Sequence, residues 1–199
     1  MIREIQTPQG TARALVQDAL SPRAVLVLGH GAGGSVSAQD LQVAARTALE
    51  QDISIALVEQ PYLVAGRRSA PPAPKLDDAW VAVLEELAFD VPVIAGGRSS
   101  GARVACRTSA ATGAIGVLCM AFPLQPPTRA SGKVPESRLA ELDAVEVPVL
   151  VVQGRNDQFG VPPAGPGREV VVLDGEHGLK KDPAGLGEAI AGWLRTLVP

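Results

Sequence analysis

Val91-Pro92-Val93-Ile94-Ala95-Gly96-Gly97-Arg98-Ser99-Ser100-Gly101-Ala102-Arg103-Val104-Ala105 begins as a short apolar run of strand type and ends as an Ala-rich run of helix type. Between the two lies Gly97-x-Ser99-x-Gly101. A serine in that setting sits on a sharp strand-to-helix turn, its hydroxyl pushed out beyond the end of the sheet. Such a turn holds the serine in a sparsely populated backbone conformation. The residues two positions to either side must then be nearly free of side chain, because two backbone segments pass close together. With 21 glycines and 10 serines in 199 residues, the pattern alone arises by chance in roughly one such chain in ten if composition is treated as random. Its weight therefore rests on its place between a strand and a helix, and on the partners the rest of the chain supplies.

Moving outward, the strand texture repeats. Residues 24–28 are continuously apolar, as a parallel strand covered on both faces should be. The same texture returns at 53–58, 91–95, 115–120, 149–152 and 170–173. Helical windows separate most of these runs. Leu76, Ala79, Trp80, Val83, Leu84 and Leu87 recur along one helical face, as do Leu186, Ala189, Ile190, Trp193, Leu194 and Leu197. Both tryptophans thus read as core. A weaker window spans 36–51, with Ser35 or Ser37 as N-cap, and 100–112 is Ala-rich and ends at Gly113, a suitable C-cap. Strands over 2–6 and 11–17 flank the turn Thr7-Pro8-Gln9-Gly10 and form an antiparallel hairpin at the sheet edge. The expected fold is α/β: a mostly parallel central sheet flanked by helices, in a single domain over 1–199.

Two segments depart from this alternation. Residues 123–147 carry several prolines and one short helical window, 135–142, too little for a cap domain. Val161-Pro162-Pro163-Ala164-Gly165-Pro166-Gly167 is incompatible with a regular helix, so one crossover is reduced to a loop.

Composition excludes several classes. Hydrophobic residues at 46% and charged residues at 20% describe a globular chain rather than a disordered one. A net charge of −3 leaves no basic excess to neutralise phosphates, and the arginines are dispersed, so no nucleic-acid partner is expected. No apolar run approaches the roughly 20 residues of a membrane helix, and no signal peptide is visible, so the expected location is cytoplasmic, with no membrane partner. Cys106 and Cys119 lack metal or C-x-x-C spacing and sit in apolar segments; they read as small buried hydrophobes, a disulfide between them being neither demanded nor excluded. No metal and no cofactor is expected.

A serine hydroxyl is a weak nucleophile until a base takes its proton, and histidine is the usual base near neutral pH. The chain has two, His30 and His177. His177 follows the last apolar strand and precedes the C-terminal helix, which places it at the carboxyl edge of the sheet, where Ser99 also emerges. A carboxylate should hold its ring and stabilise its charged form. Asp157 follows the penultimate strand and completes the order Ser99, Asp157, His177. Asp174, Glu176, Asp143 and Glu146 are rivals less naturally placed beyond a strand end.

His30-Gly31-Ala32-Gly33-Gly34 follows the first parallel strand, and glycine-rich backbone there can aim amides of Ala32 or Gly33 at an oxyanion, with the amide of Ser100 as the second donor. A competing reading takes Gly29-x-Gly31-x-x-Gly34 as a dinucleotide loop. The acid that reading needs would be Glu50 or Asp52, before the second strand rather than at its end, or Glu59, further along than expected.

Taken together, His30 to Gly34, Gly97-Arg98-Ser99-Ser100-Gly101, Gly154-Arg155-Asn156-Asp157 and Glu176-His177 resemble the α/β-hydrolase superfamily over nearly the whole chain. Glu59-Gln60-Pro61-Tyr62, Gly66-Arg67-Arg68, Gly96-Gly97-Arg98-Ser99 and Phe122-Pro123-Leu124 with Pro126-Pro127 resemble, more narrowly, its small cap-less subgroup related to dienelactone hydrolases. That subgroup includes a testis-expressed protein and a subunit of a chromatin acetyltransferase complex. The resemblance implies Ser99 as nucleophile, His177 as base and Asp157 as orienting acid. The proline-rich loop after Asp157 and the short 123–147 connection depart from its pattern. Tyr62, Arg67, Arg68 and Arg98 are candidate substrate contacts, an arginine there suiting a carboxylate or phosphate; the opposing reading pairs Arg98 with a buried acid such as Glu59.

The expected function is a serine hydrolase cleaving a small ester, thioester or related acyl substrate through an acyl-enzyme. The alternative is a non-catalytic binding or assembly module of the same fold.

Overall fold

The computed structural model describes residues 1–128, 132 and 134–198. The chain runs β1 (Ile2–Thr7), β2 (Gly10–Gln17), β3 (Ala24–Gly29), α1 (Gln39–Leu49), β4 (Ile53–Glu59), α2 (Pro61–Val64), α3 (Ala73–Leu87) and β5 (Val93–Arg98). It continues through α4 (Ser100–Thr108), β6 (Gly116–Met120), α5 (Leu139–Asp143), β7 (Val149–Gly154), β8 (Arg168–Leu173) and α6 (Pro183–Leu197). The eight strands form one sheet in the order β1-β2-β4-β3-β5-β6-β7-β8. β1 and β2 pair antiparallel at one edge, β2 pairs antiparallel with β4, and the remaining neighbours are parallel.

The continuous apolar runs have a direct cause. Alternate strand residues point to opposite faces, and helices cover both. Val25, Val27, Val149 and Val151 pack with Trp80 and Val83 of α3 and Val104 of α4. Leu26, Leu28, Leu150 and Val152 pack with Leu41 of α1 and Ile190 and Trp193 of α6. Each fully buried aliphatic side chain in these layers contributes about 1.5–3 kcal/mol relative to exposure. Cys106 and Cys119 are buried free thiols with Sγ atoms 3.4 Å apart. The contact with Cys106, together with burial, pushes the Cys119 thiol well above its ordinary range, so it is a packing group rather than a nucleophile.

Several boundaries differ from the sequence reading. α1 starts at Gln39 with Ala38 at its N-cap and no side-chain cap; Ser35 and Ser37 instead bond one another in the preceding turn. α4 ends as a helix at Thr108, and the turns after it reach Gly113 with φ +61°. The helix expected over 135–142 is the single turn α5. β5 extends to Arg98, so the strand delivers Ser99 directly. Between β7 and β8 the proline-rich stretch contains no helix, as expected.

The chain leaves β3 for β4 on one side and later crosses back to β5 on the other. The crevice between the carboxyl ends of β3 and β5 is thus the point where strand order reverses, the usual ligand position in open parallel sheets. The loop after β3 and the turn after β5 flank it. No helix among the described residues is long and apolar enough to cross a membrane.

Candidate active site

Ser99 stands between β5 and α4 with φ 50° and ψ −110°, a positive-φ conformation that L-residues rarely adopt. Close packing enforces it. A Cβ on Gly97 would lie 2.5 Å from the Gly29 carbonyl oxygen, and one on Gly101 would lie 2.3 Å from the same atom. The glycines on both sides are therefore required by contact with β3. The Ser99 amide donates to Met120 O at 2.9 Å, which ties the turn to the end of β6.

The Ser99 hydroxyl meets His177 Nε2 at 3.0 Å, and His177 Nδ1 meets Asp157 Oδ2 at 2.8 Å. The Asp157 side chain is fully buried, whereas the His177 side chain keeps 20% of its surface exposed. Phe159 packs edge-on against the imidazole, ring centroids 4.7 Å apart. Backbone bonds lace the acid and histidine loops together: Arg155 N–H donates to Leu173 O and Asn156 N–H to Gly175 O. A Cβ on Gly154 would sit 2.5 Å from Glu176 O, so that contact also needs glycine. Asp174 and Glu176, the sequence rivals of Asp157, are exposed, and Asp143 pairs with Arg168 at 2.8 Å.

His30 is treated differently. It is buried; its Nδ1 donates to Gly31 O at 2.8 Å and its Nε2 accepts from Gln60 N–H at 3.0 Å. Burial pulls its imidazole below the ordinary value, against the Gly31 bond and the charge of Glu59. The ring is a neutral brace between the loop after β3 and the turn before α2. In that loop the Gly33 amide donates to the Tyr62 hydroxyl at 3.3 Å. Among the described residues, no protein acceptor occupies the amides of Ala32 or Ser100. The amides of Ala32 and Ser100 are thus left free of protein acceptors, while that of Gly33 is engaged. Tyr62 is only 3% exposed and serves this loop. Burial, partly offset by the Gly33 bond, raises its phenol above the ordinary value.

Arg98 does not pair with Glu59. Its Nε donates to Asp40 Oδ2 at 2.7 Å, and its Nη2 donates to His177 O at 3.1 Å. Glu59 instead meets Arg13 at 3.4 Å. A Cβ on Gly31 would come within 2.9 Å of Arg98 Nη1, so the guanidinium lies under the loop after β3 as well. Arg98 is a brace joining α1, that loop and the histidine loop. Arg67 and Arg68 are exposed and in no ion pair among the described residues. The Arg68 carbonyl lies against Gly33, 3.4 Å from where its Cβ would be.

α4, the helix that follows Ser99, is anchored on its other flank. Arg103 makes two bonds to Glu141, and Arg107 makes two to Asp77 and a third to Glu141. Burial alone would raise the Glu141 carboxyl, but the two arginines outweigh it and hold it below the usual range. No group of three or more His, Cys, Asp or Glu residues among the described residues is arranged to hold a metal ion. A groove of about 390 Å³ runs along the outer side of the histidine loop, past Asn156, Glu176, Lys180 and Lys181; neither Ser99 nor His177 lines it.

Asp40, Gln153 and Phe159 belong to the site without having been singled out in the sequence. Only Gln153 left a signal, as the polar residue ending the run Val149-Leu150-Val151-Val152-Gln153.

Among solved structures, the chain is similar to a lid-less α/β serine hydrolase from Xanthomonas campestris, with 20% identity, a TM-score of 0.79, and coverage of 100% of this chain and 95% of the other. It is similar to a dienelactone hydrolase from Anabaena variabilis at 12% identity and TM-score 0.77, covering 100% and 98%. A thermophilic esterase from Thermogutta terrifontis matches at 15% identity and TM-score 0.74, covering 100% of both chains. At these identities the likeness is one of fold. No curated protein matches significantly. The family model described as alpha/beta hydrolase domain matches residues 22–182, a span running from β3 through Ser99, Asp157 and His177. The chain belongs to the α/β-hydrolase family.

Proposed function

We propose that this protein is a serine hydrolase that cleaves small or exposed esters, thioesters or related acyl compounds through a Ser99–His177–Asp157 triad. The observation that carries the reading is the unbroken hydrogen-bond path from the Ser99 hydroxyl through both nitrogens of His177 to the buried Asp157. Ser99 Oγ attacks the acyl carbon while His177 Nε2 takes its proton. Asp157 stabilises the resulting imidazolium. The amides of Ala32 and Ser100 hold the oxyanion, each worth about 2.7–4 kcal/mol of transition-state stabilisation. His177 then returns the proton to the leaving group as the carbon–oxygen or carbon–sulfur bond breaks. Water, deprotonated by His177, attacks the acyl-serine, releasing the acid and restoring Ser99.

Exposed Arg67 and Arg68, beside the loop that carries Ala32, are the arginines available to an anionic substrate group, since Arg98 is engaged internally. A fluorophosphonate probe tests the reading because it reacts only with an activated serine. Wild type is expected to label at neutral pH, and Ser99→Ala to lose labelling together with about 10⁴- to 10⁶-fold of any hydrolysis. A folded wild type that fails to label would instead support a non-catalytic binding module.

A further inference from the structure

Gln153 is fully buried on β7, on the sheet face it shares with Val149 and Val151. A glutamine amide there needs partners for both of its ends. Three acceptors surround its Nε2: Asp157 Oδ2 at 2.7 Å, Gly160 O at 3.0 Å and Phe122 O at 3.1 Å. Its Oε1 is buried and has no partner among the described residues. The network fixes which way the amide points, because the opposite orientation would turn a carbonyl oxygen toward a carboxylate and two backbone carbonyls. An acceptor left unbonded is a cost, and the structure accepts it to keep both amide hydrogens on the acid side.

The oxygen that Gln153 contacts is the one that receives His177 Nδ1. The other, Oδ1, accepts from Phe159 N–H at 2.9 Å. Asp157 is thus held at both oxygens, and Oδ2 is shared between the amide and the imidazole. A second donor on a carboxylate oxygen withdraws part of its negative charge and weakens its pull on the first donor's proton. We infer, on the basis of the hydrolase reading above, that Gln153 is a positioning residue of the triad: it fastens Asp157 to the end of β6 and moderates how strongly Asp157 draws a proton onto His177. Gln153 touches neither substrate nor nucleophile. It acts through Asp157.

The charged groups around the imidazole are few. Asp157 faces it from the β7–β8 loop, Arg98 reaches its backbone carbonyl from β5 while paired with Asp40 of α1, and Glu176 lies beside it, exposed. Arg98 and Glu176 make no bond to Gln153, so a Gln153 variant reaches the imidazole through Asp157. The chain has only two histidines, so with His30→Leu as the reference for assignment the His177 ring can be followed against pH by NMR without any substrate.

Gln153→Met keeps the length and removes the donors. The expected result is an upward move of the His177 titration midpoint by roughly one pH unit, the size of one lost hydrogen bond to a charged group. Fluorophosphonate labelling near neutral pH should slow by about 10- to 100-fold, by analogy with outer partners of ligating histidines, and its acidic limb should move up with the midpoint. If Gln153→Met does not fold, Gln153→Leu, which also lacks both donors, takes its place with the same expected rise. An unchanged midpoint in a folded variant overturns the inference while leaving the hydrolase reading intact. A wild type that titrates but never labels removes the hydrolase reading, and the role assigned to Gln153 with it.

Discussion

The two histidines stand on equivalent ground and do opposite things. Both follow parallel strands at the same edge of the sheet, His30 after β3 and His177 after β8. His30 has both ring nitrogens consumed by backbone, donating to Gly31 O and accepting from Gln60 N–H, in a dry site that keeps it neutral. His177 has one nitrogen on a carboxylate and the other on a hydroxyl at a partly open surface. The side chain is the same; its partners decide whether it braces backbone or links a hydroxyl to a carboxylate. A histidine whose partners are both backbone groups has nothing to exchange a proton with.

The largest break in this symmetry should come from removing the reactive ring. His177→Ala is expected to lower hydrolysis by about 10⁶-fold and Asp157→Ala by about 10⁴-fold, read as kcat/KM on a simple aryl ester. Arg98 lies between the two loops, so its loss tests whether they are held together. Arg98→Met strands Asp40, whose side chain is 2% exposed, and should cost about 3–5 kcal/mol in urea unfolding. Adding Asp40→Leu should recover stability but not labelling rate, because His177 O still lacks its donor. His30→Leu should cost about 1–3 kcal/mol by leaving Gln60 N–H without its acceptor, while labelling stays far closer to wild type than in His177→Ala.

The smallest effect is a pH dependence of His30. Its folded value lies below its unfolded one, so the unfolded chain binds the extra proton first and stability falls as the medium is acidified. The loss begins near the unfolded value of about 6.5 and costs up to about 1.4 kcal/mol per pH unit until the folded value is reached. Urea midpoints of wild type and His30→Leu at pH 7 and 5.5 should show this component in wild type alone.

Most of the architecture could be read from residue order because it rests on local and repetitive causes. Strands buried on both faces must be largely apolar, as the runs in β3, β6 and β7 are, while β8 at the sheet edge carries the texture though only partly buried. The turn at Ser99, wedged against β3, must carry glycine at 97 and 101, and does. With only two histidines, the partner of Ser99 had few alternatives. What escaped depended on packing distance rather than pattern. Arg98 finds Asp40 rather than Glu59 because α1 packs beside the turn, a matter of helix placement that no local spacing encodes. Likewise Gly33 gives its amide to Tyr62, 29 residues on, so its part in an oxyanion site could not be separated from that of Ala32 by sequence. The start of α1 was misplaced because serines near 36 prefer to bond within their own turn.

The backbone of Ser99 has one further consequence, for how such a protein changes over time. At φ 50° and ψ −110° a serine carries strain on the order of 1–3 kcal/mol. A glycine there escapes that strain at the expense of roughly 0.5–1 kcal/mol of chain freedom. Replacing Ser99 by glycine would therefore leave the fold no worse. On the proposed hydrolase reading, selection for activity has to hold this position against a drift that stability alone would favour, and a lineage released from it is one codon change from an inert scaffold of the same shape.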